Sequence, residues 1–119
     1  MSRKLVLCID DRTTSAEVRK LLLECEGYRV LTASNCRSGI TSFAKHSVDL
    51  VVLDYDLPDV NGTVLAAKMR EFKPQVPIII LSGYTTPPAG VKRTVDAYIR
   101  KGEHPSALLD CVEELLRQT

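Results

Sequence analysis

Uninterrupted apolar runs punctuate this chain. Leu5-Val6-Leu7-Cys8-Ile9, Leu50-Val51-Val52-Leu53 and Ile78-Ile79-Ile80-Leu81 contain no polar residue. Runs of this length read as strands buried on both faces beneath helices. Two further segments, Tyr28-Arg29-Val30-Leu31-Thr32 and Val95-Asp96-Ala97-Tyr98-Ile99, are β-rich but mixed, which suits the edges of a sheet.

Helical spacing fills the intervals. Thr13, Thr14 and Ser15 are helix-start residues, and Val18, Leu21, Leu22 and Cys25 recur as an apolar stripe as far as Glu26, before Gly27 stops the helix. Asn35 predicts the cap of a second helix through Lys45, with Ile40, Phe43 and Ala44 on its inner face. A third, over 63–72, is expected to bury Leu65, Met69 and Phe72. Pro87 and Pro88 disfavour regular helix after Gly83 and confine any fourth helix to Val91–Thr94. Pro105 opens a fifth helix to Arg117, whose stripe is Leu108, Leu109, Val112, Leu115 and Leu116. Five strands alternating with helices predict a doubly wound α/β fold. With the second and fifth strands at the edges, the parallel sheet has the order 2-1-3-4-5, which is flavodoxin-like, with helices on both faces.

The chain has 119 residues, one domain's worth, so 1–119 is expected to be a single domain. A net charge of +1 gives no global field that argues for nucleic acid or an anionic membrane. No apolar run approaches the ~18 residues of a bilayer span. The first apolar run is too short for a signal peptide's core, so a cytoplasmic protein is expected. Cys8, Cys25, Cys36 and Cys111 form no Cys-x-x-Cys pair. Cys8, Cys25 and Cys111 fall within apolar stripes and read as small buried hydrophobes. His46 and His104 read as surface or capping residues.

The strand ends carry the chemistry. Asp10 and Asp11 end the first strand, Asp54 the third, Ser82 the fourth, and Lys101 follows the fifth. In a doubly wound sheet these ends share one edge, and the first and third strands meet at the switch point where ligands bind. Three carboxylates in one crevice repel each other unless a divalent cation joins them; all-oxygen ligands favour magnesium. Carboxylate, magnesium, lysine and hydroxyl together resemble a phosphoryl-transfer site, with Asp54 as nucleophile and an aspartyl phosphate as product.

At this point the sequence resembles the receiver domains of two-component response regulators. The matching residues are Asp10-Asp11, Gly27-Tyr28-x-Val30, the segment Asp54-x-x-x-Pro58-x-x-x-Gly62, Ser82, and Tyr98-x-x-Lys101, over nearly the whole chain. The resemblance implies that Asp10 or Asp11 binds Mg2+ with Asp54, helped by the backbone carbonyl of Asp56. It implies that Asp54 accepts phosphate from a histidine kinase or a small phosphodonor. Lys101 and Ser82 would bind the phosphate oxygens, and Tyr98 would be the aromatic that turns inward with Ser82. Such a domain is not an enzyme beyond its own phosphorylation and dephosphorylation. Its partners would be a sensor histidine kinase and a downstream effector, without direct nucleic-acid or membrane binding by this chain; a homodimer stays open. The chain departs from the pattern at Gly102, where relatives usually carry proline, and in the proline-rich stretch where they usually have a full fourth helix.

Two other classes compete. A receiver-like scaffold that is never phosphorylated fits Gly102 and the prolines. A haloacid-dehalogenase-type phosphatase would use Asp54 and Asp56 as nucleophile and acid, but that family places the pair on its opening strand. The discriminating geometry is the distance from the Lys101 amine to the Asp54 carboxylate, together with the direction of the N-terminal acids.

Overall fold

A computed structural model describes residues 3–117. Its elements are β1 (Leu5–Ile9), α1 (Thr13–Cys25), β2 (Arg29–Ala33), α2 (Cys36–Lys45), β3 (Leu50–Asp54), α3 (Gly62–Phe72), β4 (Ile78–Ser82), α4 (Val91–Thr94), β5 (Ala97–Arg100) and α5 (Pro105–Arg117). All strand pairs are parallel, and the order is β2-β1-β3-β4-β5. The predicted sheet order and the short fourth helix are both observed.

Strand parity explains the continuous apolar runs. Leu5, Leu7, Ile9, Val51, Leu53, Ile78 and Ile80 pack in one core with Phe43, Leu65, Met69 and Val91, from α2, α3 and α4. Val6, Cys8, Leu50, Val52, Ile79 and Leu81 pack in the other with Leu23, Leu108, Val112 and Leu116, from α1 and α5. Alternate residues of one strand serve opposite faces, so both sets must be apolar. β1, β3 and β4 are buried throughout, whereas β2 and β5 are not, as edge strands should be.

Helix phases differ from the expectation in three places. On α1 the buried residues are Ala16 and Leu23, while Val18 and Leu21 are 53% and 61% exposed and Cys25 is exposed as well. Of the apolar stripe read from the sequence, Val18, Leu21 and Cys25 therefore face outward and Leu22 is half-buried, and Cys25 is not a buried hydrophobe. Cys8 is buried, and desolvation pushes its thiol up to about 12. The start of α1 also differs: Arg12 is the N-cap residue, and its side chain makes no capping bond. On α2 the inner face is Cys36, Gly39 and Phe43, with Ala44 exposed. Gly39 lets α2 approach β1 closely: a Cβ there would lie 2.7 Å from the terminal methyl of Ile9, which would have to shift. On α3, Leu65 and Met69 are buried but Phe72 is 58% exposed. Its ring tilts against Phe43 at 6.3 Å at the rim of the core.

Side chains satisfy the helix ends. The Asn35 oxygen accepts from Ser38 N–H, and Asp59 accepts from the N–H groups of Cys36 and Arg37. Those bonds hold the Asp59 carboxyl below its ordinary value and tie the β3–α3 loop to α2. Lys73 donates to the carbonyls of Phe43 and His46 at the far end of α2. Arg70 donates to Thr94 O and Asp96, and Asp96 also accepts from Ile78 N–H. This brace holds the one-turn α4 against α3 and β4.

Candidate functional site

Parity also aims the site. Asp10 continues the side of β1 that carries Val6 and Cys8, and Asp54 the side of β3 that carries Leu50 and Val52. Both are 2% exposed. One ligand oxygen from each of Asp10, Asp11 and Asp54 can be chosen so that all lie within 4.8 Å of one another. Asp11 faces solvent, which leaves the cluster an open side. Adjacent pairing of β1 with β3 brings these acids together across more than forty residues of chain.

The lysine closes the pocket. Lys101 Nζ lies 2.8 Å from Asp54 Oδ1. The Lys101 N–H donates to Ser82 O at 2.7 Å, fixing the loop after β5 to the end of β4. Asp54 Oδ1 also accepts from Asp56 N–H at 3.3 Å. Burial raises the Asp54 carboxyl above its ordinary value, against the pull of the Lys101 ammonium and the Asp56 N–H; Asp10 adds a smaller upward push.

Ser82 is fully buried, and its Oγ accepts from Tyr84 N–H at 3.1 Å. Tyr98 is half-buried against the core, and its hydroxyl donates to Tyr84 O at 2.7 Å. The Tyr84 backbone thus joins the serine and the aromatic singled out in the sequence. The side chain of Tyr84 stands edge-on to Tyr55 at 5.8 Å. Asp56 is exposed and outside the carboxylate cluster; its backbone pairs with Asn61 across the turn.

The chain takes the turn after Lys101 through Gly102, at φ +95°. That left-handed value suits glycine and is closed to proline, whose ring fixes φ near −65°. Gly102→Pro is expected to destabilise the fold by more than about 1 kcal/mol and to move the Lys101 amine away from Asp54. Thermal denaturation and a phosphorylation assay check both effects.

The residues fit a hard divalent cation: three oxygen donors converge, two of them buried, on one open position. Sequence reasoning missed Arg19. Its Nη1 lies 3.0 Å from Asp10 Oδ2, at the wall of the same site. The available signal was a cation in the Ala16–Leu23 phase of α1, which the more apolar outer stripe obscured.

The family model of the response regulator receiver domain matches residues 6–113. The chain belongs to this family. Among solved structures, a CheY-like receiver domain from Methanospirillum hungatei is 32% identical, with a TM-score of 0.92, covering 98% of this chain and 96% of that one. The response regulator TrrA from Thermotoga maritima, in complex with Mg2+ and BeF, is 30% identical with a TM-score of 0.89, covering 94% of this chain and 98% of that one. Among curated relatives, the cell cycle regulator CtrA of Caulobacter vibrioides is 30% identical over 117 residues, 96% of this chain and 51% of CtrA. The regulatory protein GlrR of Escherichia coli is 29% identical over 117 residues, 96% of this chain and 26% of GlrR, so the chain spans only part of the length of these relatives. As a receiver domain of two-component systems, the chain is a signalling module. Among the described residues, no helix is long and apolar enough to cross a membrane.

Proposed function

We propose that this receiver domain takes a phosphoryl group on Asp54 and so switches a partner-binding face. One observation carries the reading: the Lys101 ammonium sits 2.8 Å from Asp54, inside a cluster of three carboxylates. The same contact argues against a scaffold that cannot be phosphorylated. The family's histidine kinases supply the donor class, and small acyl phosphates share its chemistry. The magnesium complex of TrrA supports Mg2+ as the cation.

The step is an in-line displacement. Both protein donors to the carboxylate converge on Asp54 Oδ1, which leaves Oδ2 to attack phosphorus. An O–P bond forms as the bond from phosphorus to the donor's imidazole nitrogen or acyl oxygen breaks, and that atom keeps the electron pair. Asp10, Asp11 and Asp54, with the Asp56 carbonyl, would hold Mg2+. When bound, the ion neutralises charge on the transferred group. Lys101 turns from the carboxylate to a phosphate oxygen, and the Ser82 hydroxyl donates to another. Ser82 Oγ accepts from the Tyr84 N–H, so a movement of the hydroxyl toward the phosphate carries or breaks that bond and shifts the Tyr84 backbone to which Tyr98 is bonded. Phosphate at Asp54 is thereby coupled to the 83–98 segment, which faces an effector.

Acetyl phosphate with Mg2+ is expected to add one phosphoryl group, read by intact mass. Chelation with EDTA should reduce the labelling to background. Equal labelling with and without metal would count against the carboxylate cluster as the cation site.

A further inference from the structure

We propose that Arg19 is a built-in counter-cation of the carboxylate cluster and sets how tightly that cluster takes magnesium. The inference rests on the phosphoacceptor reading and goes past it to a residue outside the motifs that identify the family. Ala16, Arg19 and Leu23, at i, i+3 and i+7, share the inner side of α1, and the Arg19 side chain is only 13% exposed. A guanidinium there is costly unless paired. Strand parity points Asp10 toward α1, and Arg19 Nη1 meets its fully buried carboxylate at 3.0 Å. The second Asp10 oxygen accepts the N–H of Arg12 at 2.9 Å. Both Asp10 oxygens are therefore engaged by groups of α1 and its N-cap.

Lys101 plays the matching part for Asp54 on the other side. Two of the three acids thus carry an internal cation, and Asp11 is the one turned to solvent. A divalent ion entering the cluster competes with the guanidinium for Asp10 Oδ2 and meets its positive charge at short range. Like charges at a buried site repel more strongly than in water. Arg19 has room to withdraw. It lines a cavity of ≈ 380 Å³ between α1 and the β5–α5 connection, together with Leu22, Leu81, Ile99 and Leu108. Arg19 is a positioning residue: it stabilises buried Asp10 when metal is absent and lowers the affinity for metal when it is present.

The test titrates the full chain with Mg2+ alone by calorimetry, with no phosphodonor. Arg19→Gln keeps a hydrogen-bonding group but removes the charge, and is expected to bind Mg2+ about five- to tenfold more tightly. Arg19→Lys keeps the charge and should stay near the wild-type affinity. In EDTA, Arg19→Gln should melt at a lower temperature than wild type, and Mg2+ should raise its Tm by more. Arg19→Met repeats the measurement with an apolar side chain that the helix face accommodates. Unchanged or weaker Mg2+ binding by both neutral variants overturns the inference, as does an equal gain in Arg19→Lys. If wild type binds Mg2+ and is phosphorylated while the variants do not differ from it, only this inference falls. Should wild type take up no Mg2+, the phosphoacceptor reading fails first and Arg19's role with it.

Discussion

Asp54→Asn is expected to abolish phosphoryl transfer and, in metal-free buffer, to raise the Tm. Asparagine keeps the shape of the side chain, and its oxygen can still accept from Lys101 and from Asp56 N–H. It offers no carboxylate to attack phosphorus, so labelling by acetyl phosphate should fall to background. The stability effect follows from burial. Asp54 is almost wholly inaccessible, and desolvation, its largest influence, raises its carboxyl above the ordinary value of 3.8. The folded protein therefore holds that proton more tightly than the unfolded chain does. Below 3.8 the carboxyl is neutral in both states, and the charge costs nothing. As pH rises through the folded value, ionisation withdraws stability from wild type, and the penalty is complete above it. The Tm advantage of Asp54→Asn should grow across that window and then level off. Mg2+ binding to the folded wild type is expected to shrink the difference at neutral pH. Calorimetry at several pH values, with EDTA and with Mg2+, checks each part. Retained labelling, or an advantage that is largest in acid, would contradict the assignment.

Gly62→Ala is the second large effect. Gly62 opens α3 directly behind the end of β3, and its N–H donates to Tyr55 O at 2.6 Å. A Cβ there would lie 2.6 Å from Leu53 Cδ1, 2.8 Å from Asp54 O and 2.9 Å from Tyr55 Cα. Two of those atoms are backbone, so rotamer changes cannot relieve the clash. Overpacking of this kind costs about 3 kcal/mol, a fall in Tm of roughly 10 °C for a domain of this size. The damage also reaches the chemistry, because the displaced backbone carries Asp54. Protein that remains folded should be phosphorylated more slowly than wild type at saturating Mg2+. By contrast, Gly27→Ala, where the backbone strain of φ +95° is met but the Cβ has open space around it, should lower the Tm less and leave phosphorylation unchanged.

The sheet was legible because its evidence is local. Ile78-Ile79-Ile80-Leu81, short, β-branched and preceded by proline, reads as a strand covered on both faces, and the polar residues in Arg29–Ala33 and Ala97–Arg100 mark the edges. Strand ends then placed Asp10, Asp11, Asp54, Ser82 and Lys101 on one edge, and the structure brings the three acids and the lysine within contact. Gly102 departs from the family pattern, and its positive φ makes the turn directly after Lys101.

Helix phase was less legible. Val18, Leu21 and Cys25 make the more apolar stripe on α1, yet the side turned to the sheet carries Ala16, Arg19 and Leu23. Periodicity reports how apolar residues repeat, not which stripe a neighbour will cover. Arg19 looks like a surface residue until Asp10 is known to face it. In the same way Phe72 repeats with Leu65 and Met69, but α3 has already passed the end of the core by that turn.

The sequence by itself determined the order of strands and helices, the edges of the sheet and the acids at its rim, because each depends on a few consecutive residues. Tertiary structure alone decided which face of each helix is buried, how Lys101 reaches Asp54, and that an arginine from α1 already occupies Asp10. Those outcomes depend on distances between segments far apart in the chain, and burial and charge take their energetic meaning only once the segments have met.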